Sequence, residues 1–250
     1  MSRTSRETAA ADFRSYMRRS NELHASYLNE PGQLQQYDRF TEWQTAYLLT
    51  MFVDLHEKPG YGAAIDFTMS DLAGVGITER DHDLERASPA ITRMLPEKAL
   101  ETIAAAARLN ARVLETNLGI FRQLQVDGNL SAEISHRAYC VACRESSALE
   151  ECVGMVHLAT NLGATLKTLV KVPLLGAMLR AMRGPAHAAG FGALQEFLEN
   201  GYTNFREIPD IDHFLNEIDL RMTAFFETIF TAPLDEIDAD VASVYRPAVK

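Results

Sequence analysis

The chain has 250 residues, of which 47% are hydrophobic and 23% are charged. This composition is typical of a globular protein and excludes a largely disordered or fibrous one. There are 34 acidic and 24 basic residues, so the formal net charge is −10. A protein that binds nucleic acid needs a broad basic surface against the phosphates, and we therefore expect no nucleic-acid partner.

The cysteines and the apolar segments predict the location of the protein. The odd set of Cys140, Cys143 and Cys152 is clustered and does not resemble a disulfide framework, which favours a reducing compartment. The N-terminal residues lack the apolar core of a secretory signal. No uncharged apolar run is long enough to span a bilayer. We expect a cytoplasmic protein of bacterial type without a membrane span.

Apolar residues recur at helical spacing along most of the chain. The first helix is predicted to end near Leu28, and an aromatic stripe around Trp43 predicts the second. Further helices are predicted over residues 63–73, 79–95 and 97–124, after an N-cap at Ser131, after a capping box at Ser147–Glu150, from Pro173, from Pro185, and over residues 210–230. No window alternates apolar and polar residues as a half-buried strand does.

These elements predict a single all-α domain of about nine helices without a sheet. We expect the domain to cover residues 8–231 and its core to be built from residues 148–206. Residues 1–7 are predicted to be disordered, and residues 232–250 to form an acidic, loosely ordered tail.

Two stretches of the chain resemble a known family. One contains the charged segment RDHDLER, from Arg80 to Arg86, and the other contains MRGPAHAAGFGALQEFLE, from Met182 to Glu199. Over roughly residues 37–230 the chain resembles a family of bacterial proteins named for an FFLEELY motif, which has no assigned activity. At that motif this chain has Asp66, Phe67 and Ala73 in place of two Phe and a Tyr. The resemblance implies an all-α fold and no catalytic residue.

A segment without acidic residues offers a candidate binding site. No Asp or Glu occurs from Cys152 to Gln195, although the whole chain is acidic. The candidate ligand-binding residues are the cations at its centre: Lys167, Lys171, Arg180, Arg183 and His187. They predict a non-enzymatic protein that binds a small apolar or anionic ligand or a protein partner. A homodimer is one of the partners left open, and we expect no cofactor. The alternative is that this segment forms a pair of buried helices, in which acidic residues are absent because charged side chains are rarely buried.

The competing interpretation is a metal- or haem-dependent oxidoreductase, so an enzymatic role stays open. Two Glu-x-x-His spacings, Glu79–His82 and Glu133–His136, match half of the ligand set of a di-metal carboxylate site. His157 lies in an apolar helix and is a candidate haem ligand or a core histidine. The three cysteines with His157 are a weaker candidate zinc site, since burial of small thiols in a helical core explains them better.

The charged segment from Arg80 to Arg86 has two interpretations. Its members Arg80, Asp81, Asp83 and Arg86 could include a catalytic carboxylate, which would need burial and a partner. Ion pairs along a helix, such as Asp83 with Arg86, explain the pattern more simply.

Overall fold

A computed structural model of the chain describes residues 5–71, 77–94, 97–130, 134–234 and 237. These residues contain helices and no β-strand, which confirms the all-α prediction. The helices are α1 (Ser5–Tyr27), α2 (Pro31–Leu49), α3 (Val53–His56), α4 (Gly62–Asp66), α5 (Ile77–Met94), α6 (Glu97–Val126), α7 (His136–Ser146), α8 (Leu149–Leu169), α9 (Leu175–Ala188), α10 (Gly192–Glu207) and α11 (Ile211–Thr231). A 3₁₀ turn (Thr50–Phe52) precedes α3, and a π-helical turn (Phe67–Asp71) follows α4.

The main hydrophobic core lies between α2, α6, α7, α8 and α11. Its largest fully buried side chains include Phe40, Phe121, Tyr139 and Phe225. Phe40 lies against Phe121 with 5.9 Å between ring centroids, and Phe225 stacks on Tyr139 at 6.4 Å. The prediction of a core built from residues 148–206 is therefore wrong, because most of that segment is half-buried or exposed.

The long helix α6 is covered on a second side by α1. Phe13 and Met17 of α1 are buried against Ala104 and Ala107 of α6. The small alanine side chains allow the two helices to approach closely, so a short apolar stripe suffices to fix α1 on α6.

A polar network is buried inside the main core. The Gln44 amide donates hydrogen bonds to Asn117 Oδ1 at 3.1 Å and to the Tyr139 hydroxyl at 3.0 Å. Burial raises the pKa of Tyr139 well above its ordinary value, so its hydroxyl stays protonated. Since buried polar groups are costly when unpaired, this network constrains how α2, α6 and α7 pack together.

Both ends of the domain are anchored. Helix α1 begins at Ser5, three residues before the boundary expected from the sequence. After α11, the Arg144 guanidinium donates hydrogen bonds to the carbonyls of Ile229 and Ala232. Ile237 is buried in the main core, so the chain remains attached to the domain at this position. Residues 1–4 and 238–250, where most of the two predicted flexible ends fall, lie outside the described residues.

Candidate functional site

Helices α9 and α10 form a hairpin in which α9 is the outer member. Helix α9 packs mainly on α10, and α10 in turn contacts α5 and α4. Gly176 lies against the Tyr202 ring, where a Cβ atom added to the glycine would be only 2.6 Å from the ring, so the close approach requires glycine. The Gln195 amide donates to the Leu179 carbonyl at 2.6 Å and joins the helices further.

The turn between the two helices depends on Gly190. This residue has a φ of 76°, in the left-handed region that glycine adopts without steric cost. Pro185 lies inside α9, at an exposed position. The prediction that Pro185 begins a new helix is therefore wrong. An exposed helix tolerates the missing proline N–H because water can satisfy the carbonyl that loses its partner.

The outward face of α9 is apolar and exposed. Leu174, Met178 and Met182 follow one another at intervals of four residues, and their exposed fractions are 76%, 62% and 53%. Smaller apolar residues complete the face, and all of them are exposed: Ala177, Ala181, Pro185 and Ala188. Val172, just before the helix, is 46% exposed. We use the name α9 face for the surface formed by these residues: Val172, Leu174, Ala177, Met178, Ala181, Met182, Pro185 and Ala188.

Leu174 is held in a strained backbone conformation at the N-cap of α9. Its φ is 67°, and it is the one non-glycine residue with a positive φ among the residues described. An L-residue in this conformation costs about 1–2 kcal/mol, which asparagine or glycine would reduce. The strain therefore accompanies a large apolar side chain that projects into solvent.

The predicted ligand-binding cations differ in their availability. Lys167 on α8 forms an ion pair with Asp212 of α11, and Arg183 forms one with Glu199 of α10. Lys171 and Arg180 are exposed and have no ion pair within the described part of the chain. These two cations flank the α9 face, whereas Arg183 lies on the side of the helix that faces α10.

The remaining residue of the predicted site is His187, whose Nε2 lies 3.8 Å from Glu196 Oε1. The Arg183 hydrogen bond and the Gln195 amide together lower the pKa of Glu199 to about 2. Two acidic groups of α10 thus face basic side chains of α9. The hairpin is held together in part by the Arg183–Glu199 ion pair, which is open to solvent.

Two residues of the charged segment on α5 hold the hairpin turn. The Asp83 carboxylate, which is 8% exposed, accepts the backbone N–H of Leu194 in the first turn of α10 at 3.3 Å. The Arg86 guanidinium donates to the carbonyls of Ala189 and Gly190 at 3.3 and 3.2 Å. Asp83 and Arg86 are themselves 3.6 Å apart.

This arrangement, which we call the α5 clamp, explains the charged motif structurally. A carboxylate at the start of α10 and a guanidinium at the end of α9 both match the sign of the helix dipoles. The guanidinium also lies 5.1 Å from the centre of the Phe191 ring. The contact between Asp83 and Arg86 agrees with the simpler of the two interpretations of this segment, an ion pair along the helix. The side chains of Arg80 and Asp81 lie outside the described residues.

The histidines proposed as metal or haem ligands lie in two different environments. His136 is the first residue of α7, and its Nδ1 hydrogen-bonds the Tyr47 hydroxyl. His157 is exposed on α8 and faces Asp219 of α11, with 3.7 Å between Nε2 and Oδ1. The prediction of an apolar setting for His157 is wrong, because the helix turns this side chain to solvent.

The other proposed metal ligands are not placed by the structure. Ser135 is the N-cap of α7, so the helix begins later than the predicted N-cap at Ser131. Glu133 and the side chains of Glu79 and His82 lie outside the described residues. Within those residues, no three His, Cys, Asp or Glu side chains converge in a way that could hold a metal ion.

The three cysteines are buried free thiols in the main core. Burial raises the pKa of Cys140 to about 12. The Ser147 hydroxyl lies 3.7 Å from Cys143 Sγ and 3.5 Å from Cys152 Sγ. Cys143 and Cys152 contact each other, but His157 points to solvent, so the zinc set drawn from the sequence is not assembled.

The comparisons place the chain in a family. A family model described as a domain of unknown function, DUF8198, matches residues 24–235, and the chain belongs to this family. The match includes α5, α9 and α10. No curated protein and no solved structure matches the chain. The more specific resemblance to the FFLEELY-motif family stays a prediction.

None of the described helices is both long enough and apolar enough to cross a bilayer. The α9 face is the apolar surface that sequence reasoning assigned to the core. Its signal was present in the sequence, as an apolar stripe inside a segment without acids, but helical spacing alone did not show which side of α9 is covered.

Proposed function

We propose that this chain is a non-enzymatic binding protein whose binding surface is the α9 face. Its ligand is an apolar, anionic small molecule or a protein partner with the same chemistry. The observation that carries the proposal is the exposure of Leu174, Met178 and Met182 side by side. Contiguous exposed apolar side chains bordered by polar groups are typical of interaction sites.

The charges at the border of the face support an anionic ligand. Lys171 and Arg180 are exposed and form no ion pair in the described part of the chain, and the charge of Arg180 is felt by Glu199 of α10, whose pKa it helps to lower. Burial does not explain the absence of acids from residues 171–190, because nearly all of them are exposed. An excess of cations on a protein of net charge −10 favours ligands with negative charge.

The methionines of the α9 face suit a surface that adapts to its ligand. Met178 and Met182 have flexible, polarisable side chains, which fit partners of varied shape. The groups beside them are mainly alkyl side chains and permanent cations, which bind a ligand without transferring protons. This composition supports binding as the role of the face.

Methionine oxidation in cells tests whether the α9 face is covered. Cells that contain the chain, and the purified protein, are exposed to the same dose of hydroxyl radicals, and sulfoxide is measured by mass spectrometry. We expect less oxidation of Met178 and Met182 in cells than in the purified protein. Tyr27, 38% exposed on α1, reports the radical dose. Equal oxidation in both samples, after correction by Tyr27, would contradict the proposal.

A gently purified sample tests the non-enzymatic role separately. Native mass spectrometry, metal analysis and an absorption spectrum are recorded on the same preparation. A co-purified lipid, acyl compound or other anionic ligand supports the proposal. A stoichiometric metal ion or a haem absorption band would contradict it and would support the oxidoreductase alternative.

A further inference from the structure

We infer that the occupant of the α9 face is the surface of an anionic lipid bilayer. This inference rests on the proposed function, since it names the partner of the same surface. It assigns to α9 a peripheral contact in which Val172, Leu174, Met178 and Met182 enter the apolar boundary of the lipid. Lys171 and Arg180 then lie at the depth of the phosphates.

The size of the α9 face favours a bilayer over a rigid protein surface. A helix of 14 residues is about 21 Å long and about 10 Å wide, so the α9 face is a strip only one helix wide. A stable protein complex needs about 800 Å² on each partner. A fluid bilayer needs no matching shape, and it can close around a helix that lies outside the rest of the domain.

The arrangement of side chains on α9 is that of an interfacial helix. The apolar residues occupy the outward face, Arg180 lies towards the side of the helix, and Arg183 pairs with Glu199 of α10. Long basic side chains reach phosphates while their alkyl stems stay among apolar groups. Glu199 of α10 is paired with Arg183, which offsets its charge, and Glu196 Oε1 lies 3.8 Å from His187 Nε2.

The acidic remainder of the chain does not prevent this contact. Charges are screened over about 8–10 Å at physiological ionic strength, so acids on the far side of the domain act only weakly on the lipid surface. The segment from Cys152 to Gln195 contributes no acid at all. Lys171, Arg180 and Arg183 outnumber Glu196 and Glu199, the acids of α10 that contact α9, so the local charge is positive although the net charge is negative.

A second copy of the chain fits the α9 face less well than anionic lipid. Two copies joined through this face would bring Lys171 and Arg180 of each close to the same residues of the other. Like charges placed together oppose association. The charges of the face therefore select an anionic surface over a second copy.

Vesicle co-sedimentation of the full chain tests the inference. We expect the chain to sediment with phosphatidylcholine vesicles that contain phosphatidylglycerol and not with phosphatidylcholine alone. Raising the salt from about 0.1 M to about 1 M should release it, because the Debye length shortens. Met178→Glu and Arg180→Glu should each lower the partition coefficient by about tenfold.

Two matched variants serve as controls. Leu220→Glu changes a side chain that is 57% exposed on α11, and Arg18→Glu reverses an exposed charge on α1. Both should bind anionic vesicles within about twofold of the parent protein, because neither lies on the α9 face. Equal losses in the controls, or no sedimentation of the parent chain with anionic vesicles, would overturn the inference.

A measurement on the parent chain does not depend on the folding of any variant. Anionic vesicles should suppress oxidation of Met178 and Met182 while Tyr27 remains reactive, and neutral vesicles should have no such effect. Protection by neutral vesicles alone, or by neither kind, overturns the inference.

The failure of this inference differs from the failure of the proposed function. Protection of both methionines in a cell extract cleared of membranes, without protection by vesicles, overturns the lipid inference and leaves the binding role standing. Absence of protection in intact cells overturns both. A dimer in light scattering that Met178→Glu dissociates assigns the face to a second copy, and also overturns the lipid inference.

Discussion

The α9–α10 hairpin and the main core contain helices of similar apolar character. The apolar side chains of the main core are buried, whereas those on the outward face of α9 are exposed. Phe225 of α11 is fully buried among Tyr47, Tyr139 and Phe226, whereas Met178 of α9 is 62% exposed. The core is held by ring contacts and buried hydrogen bonds. The hairpin is held on the domain through α10, by the α5 clamp and by ring contacts of Phe197 with Phe67 and of Phe205 with Phe214, while α9 lies outside these contacts.

This difference teaches that apolar content and burial are separate properties of a helix. The apolar face of an amphipathic helix in a globular protein normally lies against the core. Helix α9 departs from this rule because its apolar face is exposed and the opposite side contacts α10. A local departure from the rules of folding is the place where a function is expected.

The largest expected effect comes from truncating a core aromatic residue. Phe225→Ala should lower the free energy of unfolding by about 3–5 kcal/mol, because it removes buried surface and leaves a cavity. Met182→Ala on α9 should change it by less than about 0.5 kcal/mol. Urea unfolding of both variants measures the contrast. Comparable losses would show that α9 is covered in solution.

Breaking the α5 clamp should have an intermediate effect on stability. Asp83→Ala removes the partner of the Leu194 N–H and should destabilise the protein by about 1–2 kcal/mol. Arg86→Lys should also weaken the clamp, because a lysine cannot bridge two carbonyls and stack on a ring in the same way.

Hydrogen exchange shows where the loss of the clamp acts. In Asp83→Ala, amides of α9 and of the first turn of α10 should exchange faster, while amides of α6 in the main core keep their protection. Uniform acceleration throughout the chain would indicate that the clamp supports the whole domain rather than the hairpin.

Relieving the strain at Leu174 should have a smaller, stabilising effect. Glycine adopts a positive φ without the cost to an L-residue, but it loses more entropy on folding. Leu174→Gly should therefore raise the free energy of unfolding by up to about 1 kcal/mol and also weaken binding to anionic vesicles. If the variant is more stable and binds anionic vesicles as strongly as the parent chain, the strain at Leu174 has no role in binding.

The smallest effect concerns the exposed ion pair between Arg183 and Glu199. Its contact lowers the pKa of Glu199 from the ordinary 4.5 to about 2. A lowered pKa in the folded state stabilises the protein above pH 4.5, and this contribution is lost as the pH falls towards 2.

Titration of the Glu199 carboxyl by NMR measures this pair directly. In Arg183→Gln the pKa of Glu199 should return towards its ordinary value, since the first cause of its shift is removed. The free energy of unfolding near neutral pH should change little, because exposed ion pairs contribute weakly. An unchanged pKa in the variant would assign the shift to Gln195.

Much of the fold could be predicted from local patterns. Helical spacing indicated the all-α class, and the predicted starts near Thr78 and Glu97 agree with α5 and α6. The spacing of Asp83 and Arg86 predicted their ion pair. Their contacts with α9 and α10 could not be predicted, because these groups lie more than a hundred residues away in the chain.

The sequence by itself determined the helical class, the positions of most helices and the concentration of positive charge between Cys152 and Gln195. These properties depend on residues that are near neighbours in the chain. Only the tertiary structure decided that α2, α6, α7, α8 and α11 enclose the main core while the α9 face stays open. Burial depends on which distant helices cover a surface, and an apolar stripe has the same spacing whether or not it is covered.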